Sequence, residues 1–289
     1  MSKLSLGTAQ FGLSYGISNK KGKVEVQEAK KILQLAKTSN IDTIDTAIAY
    51  GNSEKIIGDA GFKNFKIITK LPALNEKCVD IYSWVQRKVK SSLKQLKISS
   101  LYGLLVHKTE DLSGNCGMKL INALNQVKSN GLVKKIGISI YDPKECEKVM
   151  KLTRIDIVQA PLNIVDRRLE KSGWLSRLHA EEIEIHTRSV FLQGLLLMPR
   201  NKIPKIFDKW SKIWDQWFLK LEDNNLSALE ACLSYPLSLP EIDKLVVGVE
   251  TVDQLNDIID KSQYKKKIDC SFMTSNDQML INPTNWKTI

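Results

Sequence analysis

The stretch "VKKIGISIYDPKECEKVMKLTRIDIVQAPL" (residues 133–162) contains one complete structural unit. It opens with a β-branched run, "VKKIGISI". A short loop follows, and then "DPKECEKVMKL", whose apolar residues recur at helical spacing. A second run, "IDIVQAPL", closes the unit. Both runs are apolar on both faces. That pattern predicts parallel strands buried between covering helices and a packed interior, not half-exposed antiparallel strands.

The same unit recurs along the chain. Strand-like runs are "KLSLGTA", "IDTIDTA", "FKIITKL", "SLYGLLVH", "VKKIGISI", "IDIVQAPL", "IEIHTRSV" and "KLVVGV". Helical patterns separate them, including "VEVQEAKKILQLAKTS", "VDIYSWVQRKVKSSLKQL", "GMKLINALNQVKSNG", "SALEACLSYPL" and "TVDQLNDIIDKS". Eight strands alternating with helices predict an α/β fold of the (β/α)8 TIM-barrel type. Residues 199–224 add a further helix after the seventh strand, and a tail, "CSFMTSNDQMLINPTNWKTI", ends the chain. No linker or low-complexity segment divides the sequence, so residues 1–289 read as one domain. "GTAQFG" lacks the spacing of the dinucleotide fingerprint, and no Walker sequence is present, which disfavours an open nucleotide-binding sheet.

Composition narrows the function classes. The formal net charge is +11. The lysines are scattered ("NKKGK", "EAKK", and "KKK" at 265–267), with no arginine–aromatic stripe. We read them as a solvated surface and expect no nucleic-acid partner. No segment approaches the roughly 18 apolar residues of a membrane helix. The start, "MSKLSLGTAQFG", has neither the apolar core nor the cleavage site of a signal peptide. A cytoplasmic protein without membrane association is expected. Cys78, Cys116, Cys146, Cys232 and Cys270 are odd in number and far apart, without metal-ligand spacing, so they read as reduced thiols. Nothing in the sequence fixes the oligomeric state.

In a barrel of this type chemistry sits at the C-terminal ends of the strands. Asp45 ends the second run, Tyr50 lies in the loop after it, Lys70 closes "IITK" and His107 closes "LLVH". Each has a plain structural alternative: a turn cap, a packing phenol, a solvent-reaching amine, a core histidine. Their joint placement on consecutive strand ends points instead to one reaction centre. Hydride reduction of a carbonyl leaves an alkoxide that needs a proton, which a tyrosine can give. Lowering a phenol's pKa of about 10 by two units takes roughly 3 kcal/mol. A lysine about 4 Å away can supply roughly 4 kcal/mol at an effective dielectric near 20. Asp45 would fix Lys70 and keep it charged, and His107 would orient the carbonyl oxygen. His179 and His186 have no evident partners and receive no role.

"DTAIAYG", "ITK" and "LLVH" together resemble the aldo-keto reductase family, with its Asp–Tyr–Lys–His tetrad. The resemblance covers the whole chain: "LGTAQFG", "KKIGIS", "VQAPLN", "LQGLLL" and "VVGVETVDQL" follow in the family's order. It implies Asp45, Tyr50, Lys70 and His107 as catalytic residues, NADP(H) or NAD(H) as cofactor, and a small-molecule carbonyl substrate. It also implies cofactor contacts from Gly7 and Thr8, from Ser139 and Gln159 to the carboxamide, and from Arg188, stacked on the nicotinamide, with Ser189. Gln193, Gly194 and Leu195 would cover the pyrophosphate, and Gly248, Glu250, Thr251 and Gln254 would meet the adenosine end. Two departures stand out. Ile140 occupies a position where the family usually has Asn, and "GVETVDQ" offers a carboxylate where a 2′-phosphate would need Lys or Arg. The latter leans towards NAD.

"HTRSVFLQGLLL" further resembles a bacterial branch associated with sugar or surface-polysaccharide metabolism. Trp210, Trp214 and Trp217 recur at i, i+4, i+7, as an apolar stripe on the barrel or as a substrate lid. Two other functions fit these residues: a nicotinamide-binding regulatory or interaction subunit, as in the potassium-channel beta subunits that the family includes, and a Schiff-base lyase using Lys70. The lyase ranks last, because Asp45 would hold that lysine protonated.

Overall fold

The computed structural model describes residues 2–75, 78–263 and 269–288. The lysine run at 265–267 lies outside the described residues. Eight strands close into a parallel barrel in chain order: β1 (Leu4–Gly7), β2 (Thr43–Asp45), β3 (Lys66–Leu71), β4 (Leu101–Val106), β5 (Val133–Ser139), β6 (Ile157–Pro161), β7 (Glu184–Arg188) and β8 (Lys244–Gly248). β1 pairs with both β2 and β8, which removes every sheet edge. The eight-stranded barrel expected from the repeating unit is therefore present.

Helices cover the outside. They include Val26–Thr38, Ser53–Ala60, Ile81–Leu96, Gly114–Ser129, Lys144–Met150, Trp174–Ala180, Ala228–Leu237 and Val252–Ser262. The inserted helix after β7 spans Ser211–Asn224. Its stripe is structural: Trp210, Trp214 and Trp217 are all buried, and Trp214 Nε1 donates to the Phe207 carbonyl at 3.0 Å. None of the three lines the cavity described below.

The barrel interior is layered, as strand periodicity dictates. β3 turns Lys66, Ile68 and Lys70 to the same face. At mid-height Ile68, Leu105 and Ile157 form an apolar cluster with Tyr102 packed against it. Polar side chains fill both ends. At the N-terminal end Asp42 meets Lys66 at 3.0 Å and also Lys244. Glu184 accepts from Tyr102 Oη at 2.8 Å and from Lys135, and contacts His186 Nε2 at 2.7 Å. His186, unassigned from sequence, is therefore part of this plug. The C-terminal end carries the candidate site.

Candidate active site

Asp45 is the last residue of β2 and is buried, with Lys70 beside it on β3. Lys70 Nζ donates to Asp45 Oδ1 at 2.8 Å, to Oδ2 at 2.6 Å, and to the Thr46 carbonyl at 3.1 Å. The three protons of an ammonium are thereby spent. A nucleophilic lysine needs a free lone pair, so this geometry disfavours the Schiff-base alternative. Burial drags the Lys70 ammonium below its usual pKa, and the Asp45 charge works against that pull. Gln159 on β6 reaches across the barrel and donates Nε2 to Asp45 Oδ1 at 2.6 Å, an interaction sequence reading did not anticipate. Its Oε1 is buried and has no partner among the described residues.

Tyr50 sits above this pair, with Lys70 Nζ 5.4 Å from its ring centre. The loop that carries it is tightly fixed. Ser53 Oγ donates to the Thr8 carbonyl at 3.0 Å and contacts Thr46 Oγ1 at 3.1 Å. Gly12 packs flush against the loop: a Cβ there would lie 1.7 Å from the Tyr50 carbonyl oxygen. Gly51 adopts φ +55, and a Cβ on it would meet the Gly12 carbonyl at 2.6 Å. Glycine is required at both positions. Glu54 anchors the following helix, accepting from Thr69 Oγ1 at 2.7 Å and Ser92 Oγ at 3.1 Å.

His107 follows β4 and meets Tyr50 edge-to-face, with centroids 6.2 Å apart and planes at 80°. Burial, then the charges of Lys70 and Arg188, push its pKa down to about 4. The ring is neutral at physiological pH, with one N–H to donate. Tyr50 departs from the sequence-based expectation of a lowered pKa. Burial and the Asp45 charge push the phenol upward, and Arg188 opposes them. The resting phenol therefore holds its proton firmly.

A cavity of about 310 Å³ is lined by Asp45 and Tyr50, whereas Lys70 and His107 are not part of its lining. Among the expected cofactor residues, Gly7, Thr8, Gln159, Arg188, Ser189, Gln193, Gly194, Gly248, Glu250 and Gln254 line it. Asp257, which sequence reading did not single out, lines it too. Ser139, Leu195 and Thr251 do not. Ser139 is buried beside Gln159 in strand register. The Leu195 side chain is in the apolar core. Thr251 caps the helix Val252–Ser262, accepting from Gln254 N at 3.2 Å. Gly194 (φ +91) presses against Ser18, where a Cβ would lie 2.0 Å from Oγ. Ile140 is fully buried, as an apolar replacement for Asn demands. Its carbonyl accepts from Arg188 Nη2 at 2.9 Å.

The sequence model of the Aldo/keto reductase family matches residues 3–279. The chain belongs to the aldo/keto reductase family. It is accordingly an NAD(P)H-dependent enzyme of carbonyl reduction, using NADP(H) or NAD(H). Relatives include an uncharacterized oxidoreductase of Bacillus subtilis (strain 168), YqkF, 26% identical and covering 92% of both chains. The NADH-specific methylglyoxal reductase of Escherichia coli (strain K12) is 25% identical over 84% of this chain and 80% of its own. Among solved structures, the holo form of aldo-keto reductase AKR11C1 from Bacillus halodurans superposes with a TM-score of 0.75 at 19% identity. That match covers 94% of this chain and 90% of the other, and it shows likeness of fold. Among the described residues, no helix is long and apolar enough to cross a membrane.

Proposed function

We propose that this reductase acts on small aldehydes and ketones, sugar-derived ones included, with Tyr50 as the general acid. The observation that carries this reading is the convergence of Tyr50, His107 and the buried Lys70–Asp45 pair at neighbouring strand ends, with Tyr50 and Asp45 lining one cavity. The nicotinamide, when bound, supplies the hydride. Gln159 fits such a ring: its Nε2 is committed to Asp45, and its orphaned Oε1 suits an N–H of the carboxamide. Ser139 stands next to it in register. Gly194 and Ser18 narrow the cavity where a phosphate backbone would need close backbone approach.

Neutral His107 donates its N–H to the substrate oxygen and orients it. Tyr50 gives its proton as negative charge develops there. The phenolate left behind has the Lys70 ammonium 5.4 Å from its ring centre, and the Arg188 charge also opposes the pull of Asp45 on it. Asp45 and the Thr46 carbonyl fix the ammonium from below. Solvent then reprotonates the phenolate.

Glu250 and Asp257 line the cavity at the β8 end, where no lysine or arginine is part of the described lining. Two carboxylates oppose a 2′-phosphate, whereas one can accept from a free ribose hydroxyl, so we assign NADH as the preferred cofactor.

A panel of aldehydes and ketones with NADH or NADPH, followed by absorbance loss, tests the reading. Turnover favouring NADH is expected. Cofactor binding without turnover of any carbonyl would shift the balance to the regulatory-subunit alternative.

A further inference from the structure

Arg188 is the only basic side chain among the described residues that line the cavity. It has no carboxylate within ion-pair distance among those residues. Asp45 is held by Lys70 and Gln159, and Glu250 and Asp257 belong to the β8 end. Nor is the guanidinium a loose surface group. It lies 4.4 Å from the Tyr141 ring centre. Its Nη2 donates to the Ile140 carbonyl at 2.9 Å and its Nη1 to Ser189 Oγ at 3.2 Å. Ser189 is held in turn in a left-handed conformation (φ +62), its carbonyl accepting from Asn163 Nδ2 at 2.9 Å. A guanidinium carries five N–H donors. Two are spent on the scaffold, which leaves a half-buried cation oriented in advance with donors to spare.

The position of this cation matters. It sits beside the reaction centre, close enough to oppose the upward shift of Tyr50 and to help keep His107 neutral. Tyr50, Tyr15 and Gln193 share its stretch of cavity wall and supply hydroxyl and amide groups around it. With the Lys70–Asp45 pair self-neutralising, the charge balance there is positive. A neutral aldehyde makes no use of that charge. A carbonyl compound bearing a carboxylate or phosphate does, through charge-assisted and geometrically specific hydrogen bonds.

We propose that Arg188 is a specificity-determining residue that selects carbonyl substrates carrying an anionic group near the reacting carbon. The proposal rests on the reductase reading above and names its substrate class. The reaction is otherwise unchanged: hydride and proton add across the C=O, and the anionic group takes no part in bond making.

The test compares matched pairs at saturating cofactor: succinic semialdehyde against butanal, and D-glyceraldehyde 3-phosphate against D-glyceraldehyde. A preference for the anionic member of about tenfold or more in kcat/KM is expected in at least one pair. The pair that shows it identifies the anion as carboxylate or phosphate. The preference should fall as salt rises, whereas the neutral member's rate should not. Arg188→Met should bring the ratio to near one, and Arg188→Lys, which keeps the charge but loses the fork, should fall between. The ratio is read within each variant, so a general loss of activity cancels.

Calorimetric titration of succinic semialdehyde into the NADH complex of Tyr50→Phe supplies a readout without turnover. Adding Arg188→Met to that variant should weaken binding tenfold or more. Three results would overturn the proposal. One is a wild type that prefers the neutral member of both pairs. Another is an anionic preference that survives Arg188→Met. The third is a Met variant whose only defect is weaker NADH binding, which would assign the cation to the cofactor's phosphates. If no carbonyl is reduced at all, the reductase reading fails, while the calorimetric arm still reports whether Arg188 binds an anionic carbonyl.

Discussion

β2 and β3 frame two lysine–aspartate pairs, one at each end of the barrel. At the N-terminal end Lys66 meets Asp42 at 3.0 Å with side chains 36% and 22% exposed; at the other Lys70 meets Asp45 at 2.6 Å with 1% and 6% exposed. Lys66 and Lys70 are four residues apart and about 13 Å along the strand. Their surroundings differ in the chemistry gathered beside them. At the lower end the polar groups bind one another: Lys66 and Lys244 on Asp42, and Tyr102, Lys135 and His186 on Glu184. The upper pair also binds itself, but around it stand a phenol, an imidazole and an orphaned amide oxygen beside a cavity. The lower network leaves His186 Nδ1 buried without a hydrogen-bond partner among the described residues, and Asp42 lines a pocket of its own, so an orphaned atom beside a cavity does not by itself mark a reaction centre. What sets the upper end apart is the acid–base set itself: a phenol and a neutral imidazole in contact beside a buried ion pair.

That contrast can be broken by substitution. Lys70→Met leaves Asp45 buried without its cation. We expect a stability loss of about 3–5 kcal/mol by denaturant titration, together with a kcat/KM loss of about a thousandfold. Glu184→Gln at the lower end should cost about 1–3 kcal/mol while leaving kcat/KM within about twofold. A large turnover defect in that variant would show that the two ends are not separable.

The ends should also separate by pH. Burial disfavours ionised Asp42 and Glu184, but their cation and hydroxyl partners outweigh it and hold both at about 2. Their folded-state pKa values lie below the unfolded ones, so their stabilisation is present above about pH 4.5 and lost as pH falls towards 2. His107, held at about 4 against 6.5 when unfolded, acts in a higher window. The unfolded chain binds the extra proton there, so stability declines as pH drops from 6.5 towards 4, by about 3 kcal/mol at most. Urea unfolding across pH should therefore show an upper step that disappears in His107→Asn and a lower one that shrinks in Glu184→Gln. The smallest expected effect lies at the far end of the cavity, where Glu250→Lys should shift the ratio of NADPH to NADH affinity about tenfold towards NADPH, a change of about 1.4 kcal/mol.

Much of the upper end was legible in sequence, because barrel topology converts consecutive strand ends into neighbours. Asp45, Tyr50, Lys70 and His107 could be gathered from linear order alone. The bond from Gln159 to Asp45 could not, since it crosses the barrel between residues 114 apart. The lower network escaped for the same reason: Tyr102, Lys135, Glu184 and His186 come from three strands, and no local pattern links them. Two covering helices also went unread. Ser53–Ala60 and Trp174–Ala180, of eight and seven residues, are absent from the helical patterns read in the sequence. The expected lowering of the Tyr50 pKa was mistaken because charge was weighed without burial, and burial is the larger influence in the folded site.

Tyr50 is proposed to donate the proton at a site that binds cofactor independently of it. Tyr50→Phe removes only the hydroxyl. Its kcat/KM for aldehyde reduction should fall about a thousandfold or more, with the NADH dissociation constant, read by fluorescence, within about threefold of wild type. Retention of full reductase activity by Tyr50→Phe would contradict it.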